Sequence, residues 1–303
     1  MKIGKLAKKS LPIITAAIFV GLCYYHKDAF FGLTSFSLTS LITIIALHLL
    51  FHLINALILK QLSNKTNTAG SLLFFISVNQ ISSAWNYISP LRLAQFSSRA
   101  ILLKKYLQIS IKQSVSQFTI ASITNVICNI AVAILAIAIA PTEIPKSLSL
   151  TVAGTAALGA MALFLFLPRL SRSNAPWLEE ITIPFKSLTK KDFLYLIGLN
   201  GAQIALATAI TYQLLTGADM AFSLIDCLLI STASVLLSIA SLTPGNLGYR
   251  EVSLTALGAW LGLEQGPLLA VLILDRAIQL GLTLSAATIF SLSLQQIAPR
   301  SKP

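Results

Sequence analysis

Between two long apolar runs the chain carries the stretch Thr243-Pro244-Gly245-Asn246-Leu247-Gly248-Tyr249-Arg250-Glu251. Its Pro-Gly pair breaks a helix, and its Arg-Glu pair brings charge into an apolar segment. In lipid, unpaired backbone groups and charges each cost several kcal/mol. The stretch is therefore either a broken helix that lines a polar cavity, as in transporters, or a short loop between two spanning helices. The rest of the sequence favours the broken helix.

The composition is that of a helical membrane protein. Of 303 residues, 55% are hydrophobic and 11% are charged, whereas soluble domains are about 25% charged. The mean hydropathy is +0.80, and the apolar runs are about 20 residues long, which matches one bilayer crossing. We therefore predict an all-α, polytopic transmembrane helical bundle that forms a single domain over residues 1–303.

The distribution of the net charge of +12 argues against nucleic acid as a partner. Positive residues precede the first apolar run, follow the second, cluster over residues 92–112, and fill the polar segment 169–191. This is the positive-inside pattern of cytoplasmic loops. We predict that 169–191 is a cytoplasmic loop, that both termini are cytoplasmic, and that residues 11–26 form an uncleaved signal anchor.

The apolar runs predict about six full spans and two broken hairpins. The full spans cover residues 11–26, 34–59, 113–140, 147–168, 193–216 and 267–294. The hairpins cover residues 71–105 and 222–262 and turn at Pro90 and Pro244. The charge rule favours hairpins that dip into the membrane and return, because a full crossing by 71–89 would place the basic cluster outside. The halves 1–140 and 147–294 then form an inverted repeat whose hairpins enter from opposite faces.

The first hairpin carries two arginines that suit an anionic ligand. Arg92 and Arg99 are seven residues apart, so two helical turns place them on one face. Two guanidiniums on one face can hold a phosphate or a carboxylate. The alternative is that both side chains reach the lipid headgroups at the cytoplasmic surface.

The second hairpin combines flexible backbone with charge. Its candidate substrate-binding residues are Pro244, Gly245, Asn246, Gly248, Arg250 and Glu251. The helix that starts near Tyr249 points free N–H groups into the turn, which is an anion-binding arrangement. Arg250 adds to it. Glu251 caps this helix or pairs with Arg250, or it exchanges a proton.

The last span adds Asp275 and Arg276, and ionisable residues inside a span are functional candidates. Adjacent helical residues do not face each other, so each needs a partner elsewhere. We predict a pairing of Asp275 or Glu251 with Arg250 or Arg276. Asp226 is a further candidate partner, or it lies at the membrane interface.

Polar side chains also form stripes on other spans. His48, His52 and Asn55 share one face; two histidines at this spacing can bind a metal, but a polar seam between helices is favoured because no acidic or Cys residue accompanies them. Further seams are predicted where Gln113 and Gln117 share a helix with Asn125 and Asn129, and at the pair Asn200/Gln203. The three cysteines are expected to be packing residues, and we predict neither a metal nor a cofactor.

These motifs resemble those of the lysylphosphatidylglycerol synthase transmembrane-region family, which comprises flippase-like integral membrane proteins. Residues 244–251 resemble its PGGxGxxE-type signature. Residues 86–99 resemble its upstream P-x-R-x-G-E-x-x-x-R stretch, with Ala94 and Gln95 in place of Gly and Glu. Residues 117 and 118 replace a Glu-Arg pair that relatives often show. No soluble aminoacyl-transferring domain follows, so the resemblance implies the lipid-handling part and not the synthetase activity.

Together these features predict a lipid transporter of a bacterial or archaeal inner membrane. We expect a flippase that binds the headgroup of an anionic lipid or a polyprenyl-phosphate-linked glycolipid in a midplane cavity. No nucleophile elbow, P-loop or HExxH motif is present, so we do not expect an enzyme. The alternative is a non-catalytic scaffold subunit that partners envelope-biosynthesis enzymes. A lipid transferase that uses Glu251 and Asp275 as an acid–base pair is a weaker alternative.

Overall fold

The computed structural model describes residues 36–64, 70–87, 93–139, 188–240, 246 and 248–297, together with Tyr24. Within these ranges the chain forms eight helices and no strand. In chain order they are α1 (Leu38–Asn64), α2 (Leu72–Asn86), α3 (Leu93–Leu107), α4 (Ile111–Ile139), α5 (Lys190–Gly217), α6 (Leu224–Ala240), α7 (Tyr249–Trp260) and α8 (Gln265–Ile297). The predicted all-α class is confirmed for the described part of the chain.

Four helices are long and apolar enough to cross a membrane: α1, α4, α5 and the Gln265–Leu294 portion of α8. They match the predicted spans 34–59, 113–140, 193–216 and 267–294. Large apolar side chains such as Leu38, Leu135 and Leu292 are exposed on them, whereas polar side chains such as Asn200 are buried. This distribution suits a lipid environment, and the chain is an integral multi-pass membrane protein. The spans predicted at 11–26, apart from Tyr24, and at 147–168, and nearly all of the loop 169–191, lie outside the described residues.

The two predicted hairpins correspond to two pairs of short helices. Helices α2 and α3 have 15 residues each, α6 has 17, and α7 has 12. Fifteen helical residues are about 22 Å long, whereas the hydrocarbon core is about 30 Å thick. The members of each pair contact each other. The turns at Pro90 and Pro244 lie outside the described residues.

Local capping explains where these short helices begin. The Ser71 side chain accepts a hydrogen bond from the Phe74 N–H at 3.2 Å before α2. Before α6, the Asp226 side chain accepts from the Ser223 N–H at 2.7 Å and the Ser223 hydroxyl accepts from the Asp226 N–H at 3.2 Å. Such reciprocal pairs satisfy backbone donors that a helix start leaves free. Asp226 is therefore a helix cap and not a partner of the arginines.

One apolar cluster places both ends of the first hairpin at the same end of the bundle. It joins Leu59 near the end of α1, Phe74 at the start of α2, Leu103 near the end of α3 and Leu294 near the end of α8. The α4 and α5 starts lie there too, because the Ser63 hydroxyl donates to Gln117 at 3.4 Å and Gln61 donates to Asp192 at 2.8 Å. The helix pair α2–α3 thus returns to the end at which it starts.

A second apolar cluster gathers the opposite ends of the long helices. It joins Ile44 of α1, Leu214 of α5, Ile230 of α6, Leu254 of α7 and Leu268 of α8. Helices α6 and α7 therefore start and finish at the other end of the bundle. Helix α8 runs from this end to the first one and contacts both α2 and α7. The membrane faces from which the two pairs enter, and the inverted repeat, stay predictions.

Candidate functional site

A cavity of about 300 Å³ lies between the helices, and each of α1 to α8 contributes to its wall. Both short-helix pairs therefore face the same space. The arginine, histidine and carboxylate side chains in the described part of the wall are His48, His52, Arg99, Arg250, Asp275 and Arg276. Among the described residues, three guanidiniums and one carboxylate lie in the wall, so the described part of the wall has a net positive charge. The carboxylate of Glu251 lies outside the wall, 3.8 Å from Arg250.

Asp275 of α8 is the centre of a buried polar network. Its side chain is 3% exposed. One carboxylate oxygen lies 2.9 Å from His48 Nε2 of α1, and the other accepts hydrogen bonds from Arg250 at 3.0 Å and from Gln279 at 2.8 Å. The predicted pairing of Asp275 with Arg250 is present in the structure. A buried carboxylate needs such partners, because burial without them is costly.

Arg250 at the start of α7 is held from two sides. Its Nε donates to the Ser234 hydroxyl of α6 at 2.7 Å, and its Nη2 donates to Asp275 at 3.0 Å. Its Nη1 has no hydrogen-bond partner in the described structure, and Glu251 Oε1 lies 3.8 Å from it. Arg250 thus ties the second helix pair to α8 and keeps one guanidinium nitrogen without a hydrogen bond.

The start of α7 is capped by its own carboxylate. Glu251 Oε2 accepts a hydrogen bond from the Gly248 N–H at 2.9 Å, and Glu251 is 1% exposed. Gly248 has a φ of 79°, a left-handed conformation that favours glycine. Of the roles predicted for Glu251, the cap of α7 and the pairing with Arg250, at 3.8 Å, are both present. Neither Gly248 nor Glu251 lies in the cavity wall.

Asn246 lies in the break between α6 and α7. Its φ is 59°, which asparagine tolerates better than most residues. The side chain is buried, and its Nδ2 donates to the Leu237 carbonyl at 3.5 Å. Asn246 therefore fastens the break to α6 and is not part of the cavity wall. Pro244 and Gly245 lie outside the described residues.

Arg276 faces the cavity without a carboxylate. Its guanidinium lies 5.3 Å from the centre of the Tyr87 ring and donates to Gln279 at 3.4 Å. No salt bridge within the described residues involves it. Tyr87 caps the end of α2, so this cation–π contact joins α8 to the break in the first hairpin. The two hairpins thus meet at the adjacent residues Asp275 and Arg276.

Arg99 of α3 completes the positive wall. Its Nη2 donates to Asn79 of α2 at 2.9 Å, and its guanidinium lies 5.9 Å from the Phe118 ring. Arg99 lies in the cavity wall and is partly buried. This position agrees with a residue that faces a ligand, and a residue that only reaches the lipid headgroups would not need it. Arg92, its predicted neighbour on the helix face, lies outside the described residues.

The predicted polar seams line the same cavity. His48, His52 and Asn55 of α1 lie in its wall. So do Gln117 and Asn125 of α4, and Asn200 and Gln203 of α5, whereas Gln113 and Asn129 of α4 are not in the wall. Groups of three or more His, Cys, Asp or Glu that could hold a metal are absent from the described ranges.

Sequence reasoning missed three contacts. It found no acidic companion for the histidines, yet Asp275 lies against His48 although 227 residues separate the two in the chain. It also left out Tyr87 and Ser234, which hold Arg276 and Arg250. Tyr87 lies within the stretch 86–90 where the apolar segment is predicted to break, and this position is the one available signal.

Comparison with known proteins decides the family. The model of the family described as "Lysylphosphatidylglycerol synthase TM region" matches residues 12–287. The chain belongs to this family. Curated proteins give no match to it. Family membership associates the chain with membrane lipid or envelope biosynthesis, and it agrees with the resemblance seen at residues 86–99 and 244–251.

Proposed function

We propose that this protein binds the anionic headgroup of a membrane lipid in the cavity between the two hairpins and moves it across the inner membrane. The observation that carries the proposal is the charge of the wall, in which Arg99, Arg250 and Arg276 face one carboxylate, Asp275. Arg250 is buried, and Arg99 and Arg276 are partly buried. Positive charges withdrawn from water are costly without an anion, and phosphate is an anion that guanidinium binds with good geometry. An anionic phospholipid or a polyprenyl-phosphate-linked glycolipid provides it.

Arg250 and Arg276 are expected to contribute to phosphate binding in different ways. Asp275 and Ser234 hold Arg250 in place, so it offers a fixed donor with little loss of entropy on binding. Among the described residues, Arg276 has no carboxylate partner that would compete with a phosphate. In a site with low dielectric constant, each guanidinium attracts the phosphate more strongly than in water.

The size of the cavity restricts what enters. Its volume of about 300 Å³ is at the lower limit of small-molecule sites, about 300–1,000 Å³. A headgroup fits such a space, whereas two acyl chains do not, so the chains stay in the lipid phase. The two helix pairs, which start from opposite ends of the bundle, provide the elements that open one side at a time.

We propose a transport role without catalysis. Glu251, one half of the acid–base pair that a transferase needs, is outside the wall and caps α7. Both oxygens of Asp275, the other half, are engaged by His48, Arg250 and Gln279. The charge pattern supports cytoplasmic termini, because Lys60, Lys104, Lys112 and Lys190 all lie near the end of the bundle where α1 finishes.

The test is a flipping assay in proteoliposomes with an acyl-labelled fluorescent anionic phospholipid that dithionite quenches from outside. Arg276→Gln should lower the rate at least about tenfold, the effect of losing about 1.4 kcal/mol of binding in the transition state. Lys104→Gln is the matched control, because it removes a positive charge from an exposed position outside the wall. It should leave the rate unchanged.

Two results would contradict the proposal. Equal rates for wild type and Arg276→Gln, with both proteins folded, would remove Arg276 from the site. A wild-type rate equal to that of protein-free liposomes, without binding of the labelled lipid, would favour the scaffold that partners envelope-biosynthesis enzymes.

A further inference from the structure

His48 of α1 has no role in the proposed binding of an anion, although it lies in the cavity wall. The residue is 4% exposed, and its Nε2 lies 2.9 Å from Asp275 Oδ1 of α8. Histidine is the side chain whose charge ordinarily changes near neutral pH. The number of protons on this pair therefore sets the charge of the buried network.

The contact between His48 and Asp275 has a defined place for a first proton and for a second one. An ionised carboxylate only accepts hydrogen bonds, so the neutral imidazole carries its proton on Nε2 and donates it to Asp275. The other carboxylate oxygen accepts bonds from Arg250 at 3.0 Å and from Gln279 at 2.8 Å. Both oxygens of Asp275 are thus engaged. A second proton can bind to His48 Nδ1, which makes no hydrogen bond to a described residue.

The charges around His48 link this second proton to an anion. Helices α4, α5 and α6 contribute only uncharged side chains to the wall among the described residues. The titratable and charged groups of the other helices that line or adjoin the wall near His48 are His52, Tyr87, Arg99, Arg250, Glu251, Asp275 and Arg276. Three of them are guanidiniums, which disfavour a further positive charge as long as no anion is bound. An anion on the guanidiniums removes this obstacle.

Arg250 connects such an anion directly to the pair. Its Nη2 donates to Asp275, whereas its Nη1 has no hydrogen-bond partner in the described structure. A phosphate that binds Nη1 shares the charge of one guanidinium with Asp275, so each anion is compensated less well than it is alone. A positive imidazole on the other side of Asp275 restores the balance, because opposite charges attract strongly where water is excluded.

Accordingly, we infer that His48 and Asp275 form a proton-binding site that is linked to the binding of an anion by the arginines. His48 Nδ1 takes up one proton from the aqueous phase when an anionic headgroup binds, and it returns the proton to water when the headgroup leaves. The proton offsets the charge of the phosphate. Each of the two ligands strengthens the binding of the other by the same factor. This inference rests on the proposed binding of an anionic headgroup and adds a dependence on pH to it.

Isothermal titration calorimetry with dioctanoyl phosphatidylglycerol tests the inference on the protein in a non-ionic detergent. The phosphodiester of this lipid keeps one negative charge near neutral pH, so the lipid itself takes up no proton. Titrations in two buffers with different ionisation enthalpies give the number of protons taken up per bound lipid. Wild type should take up about 0.3–1 proton near neutral pH. Its affinity should rise about tenfold between about pH 8 and about pH 5.5.

His48→Gln separates a proton site from a residue that only positions Asp275. The glutamine amide can donate a hydrogen bond to Asp275 but has no basic nitrogen. The variant should therefore take up no proton, and its affinity should not change with pH. The matched control is His52→Gln, the same change one turn along α1 at an imidazole whose Nε2 has no hydrogen-bond partner. This control should retain the proton uptake.

The outcomes separate this inference from the proposed function. Lipid binding by wild type without proton uptake would overturn the proton site and leave the proposed function standing, and this result decides even if His48→Gln does not fold. Uptake that persists in folded His48→Gln, or that disappears only in His52→Gln, would overturn the assignment to His48. Absence of lipid binding at every pH would overturn the proposed function and, with it, this inference.

Discussion

The ion pair between Asp275 and Arg250 should be a major source of stability, and a double-mutant cycle measures it. Asp275→Asn keeps the shape of the side chain but removes a charge that three side chains contact at 2.8–3.0 Å. Breaking a buried pair costs about 3–5 kcal/mol, because the partner charge is left uncompensated. Glu251 at 3.8 Å compensates Arg250 in part. We therefore expect a loss near the lower limit, about 3 kcal/mol of unfolding free energy.

The cycle adds Arg250→Gln, which alone should cost about as much, and the double variant. With both charges of the pair gone, Glu251 is the buried charge that loses a neighbour, and the Gly248 N–H still donates to it. The double variant should therefore lose only about 3–4 kcal/mol. The coupling energy is then about 2–3 kcal/mol. The free energies come from reversible unfolding by SDS in mixed micelles, followed by tryptophan fluorescence.

The matched control is Asp226→Asn, the same change at a residue that caps α6 near the surface. It should cost about 1 kcal/mol or less, the usual value of a cap. Two results would refute the reasoning. One is a double variant whose loss equals the sum of the single losses within about 0.5 kcal/mol; the other is an Asp275→Asn loss no larger than that of Asp226→Asn.

Three further predictions concern access, packing and capping. In a cysteine-free background, Ser122→Cys in the cavity wall should react with a water-soluble maleimide, whereas Ala136→Cys, buried on the same helix outside the wall, should not; equal labelling would contradict a hydrated cavity. Gly258→Ala should lower the unfolding free energy by about 1–3 kcal/mol, because its new Cβ would meet a side chain of α8, whereas Gly281→Ala, with open space, should be neutral or stabilising. Thr189→Ala should cost about 1 kcal/mol by removing the cap of α5, and no change in SDS unfolding would contradict that role.

The helices could be predicted because their signals are local. Apolar runs of bilayer length predict α1, α4, α5 and α8, and the prolines at 90 and 244 divide the two short pairs. The start of α7 near Tyr249 follows from the Pro-Gly break and the glycine before it. These signals lie within a few residues of the feature that they predict, so no knowledge of packing is needed.

The arrangement of the site could be predicted only in part. Ionisable residues in apolar segments are rare enough that Arg250, Glu251, Asp275 and Arg276 were conspicuous. Their partners were not, since several pairings satisfied the same charges. The sequence left open whether Glu251 caps α7 or faces the ligand, and only the geometry at Gly248 shows the cap.

The sequence by itself determined that this chain is a helical membrane protein, approximately where its described helices lie, and that it resembles the lysylphosphatidylglycerol synthase transmembrane-region family. Only the tertiary structure decided that His48 meets Asp275 and that Asn125 meets Asn200. The tertiary structure also places Arg99 of the first hairpin and Arg250 of the second in the wall of one cavity. The physical reason is that a polar side chain in lipid is stabilised by a hydrogen bond to a partner on a neighbouring helix, and several partners can satisfy it. The charged residues in the stretch 243–251 indicate that such partners are needed. The packing of the described helices determines that the partner of Arg250 is Asp275.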